Sequence, residues 1–105
     1  MIVYNTTYHI DKEILEEALA YLKKIYIPTI ITDGILTEPS LMRVMHDIDG
    51  GENYAVQFYT TDIDTLNTWL DNGGRSILQA FAARFGNKIV GFITLMEVMD
   101  WDEDE

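Results

Sequence analysis

The chain is 105 residues long, 48% hydrophobic and 24% charged, with six Tyr, two Trp and no Cys. That is the size of one domain, able to bury roughly 65% of its unfolded surface, and it is too apolar and aromatic for a disordered segment. Its net charge of −11, with seven Lys and Arg that form no run, repels phosphate and disfavours nucleic acid and anionic membrane as partners.

Residues 2–9, IVYNTTYH, are β-branched and aromatic and predict a first strand. The first ten residues lack a basic leader and a long apolar stretch, so they read as neither signal peptide nor membrane anchor. Together with the missing cysteines, this leads us to expect a cytoplasmic protein. Asp11 then suits a helix N-cap, and Ile14, Ala18, Tyr21, Leu22 and Ile25 repeat at helical spacing. Pro28 is expected to stop that helix near Tyr26, with PTIITDG forming one further turn that ends at Gly34.

A second strand is predicted over 41–46, LMRVMH, and DIDGG at 47–51 carries the turn chemistry of a hairpin into YAVQFYT at 54–60. Thr61 or Asp62 can cap a second helix with Leu66, Trp69 and Leu70 on its apolar side. Gly73-Gly74 breaks or bends it, and Ile77, Leu78, Phe81 and Phe85 continue it to a stop at Gly86. Residues 88–99, KIVGFITLMEVM, form the last strand, and five of the eighteen acids follow in the terminal DWDEDE. A single domain over 1–99 and a solvated acidic tail over 100–105 are therefore expected.

The order β-α-β-β-α-β with a central hairpin is the α+β, ferredoxin-like split βαβ: a four-stranded antiparallel sheet with both helices on one face. Side chains alternate across a strand, and no strand here has one cleanly polar side. Tyr54, Val56 and Phe58 oppose Ala55, Gln57 and Tyr59. Val90, Phe92, Thr94, Met96 and Val98 oppose Ile89, Gly91, Ile93, Leu95 and Glu97. Two helices cover one face only, and a wet second face of this composition exceeds what monomers tolerate. The economical solution is a twofold homodimer with the uncovered faces packed together.

At YNTT (4–7), YAVQF (54–58) and RFG (84–86) leading into TLMEV (94–98), the chain resembles a domain-of-unknown-function family, family 4286, over nearly its whole length. The family's motif residues fall here on Tyr4, Asn5, Thr7, Tyr54, Gln57, Arg84, Phe85, Gly86 and Glu97, while Gly73-Gly74 departs from its pattern. The wider group it is similar to is the dimeric α/β barrel, which includes small monooxygenases, haem-degrading enzymes, isomerases and stress-response proteins. The resemblance implies that fold and a homodimer, but no single activity.

Asn5, Thr7, His9, Gln57 and Tyr59 share one parity of two strands expected to be neighbours, and a set of hydrogen-bonding groups in a half-enclosed space is what a small-molecule pocket needs. The commoner arrangement is that they bond one another and trapped water across an interface. His9 and His46 are the only histidines and the first candidates for a general base or haem ligand, although a structural His near a strand end is more usual. Glu97, flanked by Leu95, Met96 and Val98, is a candidate acid-base group or ligand contact; pairing with Arg84, Arg43 or Lys88 is the plainer expectation. DIDGGE at 47–52 fails as a calcium loop, because its first glycine stands fourth rather than sixth and Phe58 occupies the place of the bidentate Glu.

No Ser-His-Asp elbow, phosphate loop, GxGxxG or paired zinc ligands occur, so neither cofactor nor metal is assigned. Trp69 and the methionines belong to core or interface, and Trp101 is placed against a partner subunit. Two functions stay open. One is a small-molecule binder or cofactor-independent enzyme of monooxygenase or isomerase type; the other is a non-catalytic module that meets a protein partner.

Overall fold

The computed structural model describes residues 1–45 and 50–102. Strand β1 (Ile2–Asp11) leads through a tight turn at Lys12–Ile14 into helix α1 (Leu15–Tyr21), a wide π turn at Leu22–Tyr26 and helix α2 (Ile27–Ile30). Strands β2 (Thr37–Arg43) and β3 (Gly51–Thr60) follow, then α3 (Ile63–Trp69), a kinked segment at Leu70–Gly74, α4 (Arg75–Phe85) and β4 (Ile89–Glu97). The sheet order is β2-β3-β1-β4 with every pairing antiparallel, as the ferredoxin-like reading requires.

Both predicted N-caps are real. The Asp11 carboxylate accepts from the Glu13 N–H and that of Asp62 from the Thr65 N–H, each at 2.8 Å, which satisfies amides that a helix start leaves without partners. The first helix does not end near Tyr26. It continues through Pro28 to Ile30, because the wide turn takes in one extra residue and the Ile27 N–H reaches back to the Leu22 carbonyl. Pro28 thereby falls in the opening turn of α2, where its missing N–H and its ring are tolerated.

The second strand starts four residues earlier than expected. Pro39 fits inside it because β2 is an edge strand, and a register shift between Thr37 and Ser40, with Glu38 at a φ of 51°, absorbs the irregularity. His46 and residues 47–49 of the expected turn lie outside the described residues. In the second helical segment Gly73 takes a φ of 113° and kinks the chain. A Cβ on Gly74 would stand 2.5 Å from the Trp69 ring, so only glycine allows that indole to close over the kink.

The helices pack on the face carrying Tyr4, Tyr8, Ile10, Val56 and Phe58, where they bury Ala18, Leu22, Tyr26, Leu66, Trp69 and Phe81. Phe81 is the aromatic hub, its ring centroid 5.0 Å from Tyr8 and 5.2 Å from Tyr26 in edge-on contacts. Each such large side chain contributes about 1.5–3 kcal/mol through burial. The pairings Tyr4↔Phe58 and Asn5↔Gln57 settle the parity of the two central strands.

Candidate functional site

The uncovered face is built from the odd-numbered side chains of β1 and β3 and their partners. Val3, Asn5, Thr7 and His9 lie opposite Tyr59, Gln57, Ala55 and Asn53 on one side, and opposite Met96, Thr94, Phe92 and Val90 on the other. Four of the five polar candidates on β1 and β3 thus pair or neighbour directly, and Tyr59 joins them beside Val3. Asn5 is buried at the centre of the sheet, whereas Phe92 and Val90 at its edge are 63% and 65% exposed.

Two hydrogen bonds organise this row. Asn5 Nδ2 donates to Thr7 Oγ1 at 3.1 Å, and His9 Nδ1 lies 2.8 Å from Asn53 Oδ1. An amide oxygen only accepts, so His9 donates from Nδ1, and in the neutral imidazole Nε2 is then the acceptor. The ring lies against Gly51, where an added Cβ would stand 3.0 Å from Nε2 and 2.2 Å from the Ile10 carbonyl oxygen. Beside it, Thr7, His9, Asn53, Val90 and Phe92 line an open hollow of about 310 Å³. Asn53, Val90 and Phe92 were not singled out from the sequence. Cross-strand register is the signal that finds them, since His9 pairs with both Asn53 and Val90.

Glu97 is not part of this row. It pairs with Ile2 and points to the helix side of the sheet, where it lines a shallow hollow with Ile2, Ile63 and Leu95. The cations that the sequence offered it are engaged elsewhere. Lys88 pairs with Glu13, Arg43 with Glu52 at 3.3 Å, and the Arg84 guanidinium sits over the Tyr21 and Phe85 rings at 5.7 and 5.6 Å. Tyr54 donates to Glu52 at 2.6 Å, and that bond, helped by Arg43, holds the Glu52 carboxyl below its ordinary range.

The helix side holds the perturbed tyrosines. The Tyr8 and Tyr26 hydroxyls are 2.8 Å apart; burial pushes Tyr8 up to about 12 and Tyr26 higher still. Burial also raises Tyr4, against the opposing effects of the Thr6 hydroxyl and Arg75, and the buried Tyr4 hydroxyl has no hydrogen-bond partner of acceptable geometry. Among the described residues no group of three or more His, Asp or Glu is placed to hold a metal, and no described helix is long and apolar enough to cross a membrane.

A four-stranded antiparallel sheet in the order β2-β3-β1-β4, with helices on one face only, is the ferredoxin-like βαββαβ fold. Residues 1–99 match the family described as "Domain of unknown function (DUF4286)", and the chain belongs to that family. Solved structures share the fold at low identity. An EthD family protein from Bacillus halodurans C-125 has a TM-score of 0.70 at 16% identity, covering 94% of this chain and 100% of its own. A dimeric ferredoxin-like protein from an uncultured marine organism scores 0.69 at 12%, covering 94% and 96%. An antibiotic biosynthesis monooxygenase scores 0.67 at 12%, covering 95% and 100%. No curated protein matches.

Proposed function

We propose that the protein is a homodimer whose uncovered sheet faces pack together, and that it holds a small organic molecule in the space between them. One observation carries this reading: the uncovered face combines exposed Val90, Phe92 and Met42 at its margins with a polar centre of Asn5, Thr7 and His9 around an open hollow. Four strands at ~4.8 Å spacing and about nine residues at ~3.3 Å give each face an area on the order of 600 Å². Two faces amount to about 1,200 Å², the lower edge of specific protein interfaces. The dimeric ferredoxin-like protein of the same fold supports this assembly.

A second sheet would roof the hollow and desolvate its polar groups. Thr7 and the Nε2 acceptor of His9 are the ligand contacts, Asn5, Gln57 and Tyr59 complete the row, and Glu97 serves a separate place on the helix side. Cofactor-independent oxygenation or isomerisation is the reaction class such a dry, His-containing chamber suits. The bonds Asn5–Thr7 and His9–Asn53 favour the second reading, a non-catalytic interaction module, because they already satisfy part of the row.

Native mass spectrometry of freshly purified protein separates the two. Two chains of 12.1 kDa with a retained small molecule are expected. A ligand-free dimer selects the interaction module, and a monomer at micromolar concentration removes the chamber altogether.

A further inference from the structure

The two edges of the sheet are defended differently. Strand β2 carries Pro39, a register shift between Thr37 and Ser40 and a positive φ at Glu38, all of which discourage a further strand from joining. Strand β4, at the other edge, has none of these. Its register against β1 runs unbroken from Glu97 opposite Ile2 to Ile89 opposite Ile10, and Glu97 is its one charge. Its side chains are uncovered on both sides of the sheet: Ile93 and Leu95, on the helix side, are about half exposed. Packing of the uncovered sheet faces would leave these two in water.

The backbone of this edge is set for a partner. The Val98 N–H donates to the Met1 carbonyl at 3.0 Å, so the even-numbered residues of β4 turn their N–H and C=O groups toward β1. Those of Gly91, Ile93 and Leu95 therefore point away from the sheet. An antiparallel pairing of two copies about a twofold axis at Ile93 brings these outward groups together, with Ile93 opposite Ile93 and Gly91 opposite Leu95. It sets Ile89 opposite Glu97 and is the register in which the whole strand is paired.

The same register brings opposite charges together at both ends. Beyond Glu97 the chain continues through Asp100, Trp101 and Asp102, and Trp101 is 90% exposed. At up to ~3.3 Å per residue this segment extends about 10–16 Å past Ile89 of the second copy, toward Lys88 and Arg84 where α4 runs into β4. Lys88 pairs with Glu13 within its own chain, but Arg84 has no carboxylate beside it among the described residues, only the Tyr21 and Phe85 rings. A parallel pairing would instead set two acidic tails side by side, which like charges oppose.

We propose that β4 pairs edge to edge with β4 of a second copy, antiparallel about Ile93, joining two sheets into one. The contact is a strip about 30 Å long and about 10 Å deep on each copy, on the order of 600 Å² in total. That is below the ~1,200 Å² of the smaller specific interfaces, so the contact is weak and forms above the micromolar range. It uses the outer edge and the helix side of β4, and it stands whether or not the opposite faces pack together.

Sedimentation equilibrium of the full chain tests this. At about 1 mM the particle should contain twice as many chains as at about 20 µM, whatever the smaller particle is. The amides of Gly91, Ile93 and Leu95 should exchange with solvent about tenfold more slowly at the higher concentration, while those of Thr94 and Met96, already bonded to β1, change little. Ile93→Pro removes an outward N–H without touching the ladder to β1, and Leu95→Lys places a charge at the edge. Each should keep the smaller particle and abolish the doubling. Arg84→Gln should weaken the association about two- to fivefold, the range of one exposed ion pair. A mass that does not change with concentration overturns the inference and leaves the edge to a strand of a different protein. So does a doubling that survives Ile93→Pro and Leu95→Lys, one without slowed exchange at the three amides, or one that Arg84→Gln leaves unchanged.

Discussion

The hydroxyl of Tyr8 on β1 meets that of Tyr26 in the wide turn after α1 at 2.8 Å, and the two rings cross edge-on with centroids 6.2 Å apart. This one contact ties the middle of the sheet to the point where the first helix changes its pitch. Burial of the two phenols sets a pH limit on the fold. Tyr8 titrates at about 12 when folded against an ordinary value of 10.0, so the folded state prefers the neutral phenol. The stabilisation is fully present below pH 10 and is lost as pH rises toward 12, roughly 3 kcal/mol for Tyr8 alone. Urea denaturation across this window should show the decline, with Tyr26→Phe making it shallower. Stability that stays flat to pH 12 would contradict the buried pair.

Phe81 touches Tyr8, Tyr21, Tyr26 and Phe85 with ring centroids 5.0–5.5 Å away and is fully buried. Phe81→Ala should cost about 3–5 kcal/mol, a large share of a small domain's total stability. Chemical denaturation measures it, and a loss under about 1 kcal/mol would mean that the cluster repacks freely.

At the helix kink, Gly74→Ala drives a methyl group to 2.5 Å from the Trp69 ring. Overpacking of this kind typically costs about 1–3 kcal/mol. The displaced indole should also red-shift its fluorescence as water reaches it. An unshifted spectrum together with wild-type stability would show that the close approach is dispensable.

Phe92→Lys addresses the assembly. Phe92 is 63% exposed in the single chain, so the substitution leaves the fold intact, yet it places a charge on the face assigned to the partner. The dimer dissociation constant should rise about 30-fold, as for an interface residue worth about 2 kcal/mol. Light scattering coupled to size exclusion reads the change; an unaltered dimer would move the interface to another surface.

Local chemistry made much of the architecture readable in advance. The caps at Asp11 and Asp62 and the stop at Gly86 are properties of a few adjacent residues, and they stand where spacing and residue type put them. So do the helical repeat of Ala18, Leu22, Leu66 and Phe81 and the order of strands and helices. The two largest boundary differences both involve proline. Pro28 breaks a regular helix, but a preceding π turn removes the clash; Pro39 is poor in a central strand but acceptable in an edge strand. Neither context is visible until the neighbouring elements have been placed.

The candidate site divides in the same way. Parity alone grouped Asn5, Thr7, His9, Gln57 and Tyr59, because alternation along a strand is local geometry. Which parity faces the helices, which residues lie across from His9, and the hollow that Asn53 and Phe92 help to form depend on register, and register is a relation between segments more than forty residues apart. The orphaned Tyr4 hydroxyl is of the same kind: a sequence shows that a tyrosine is there, but whether its oxygen has a partner is decided only when the helix closes over the sheet.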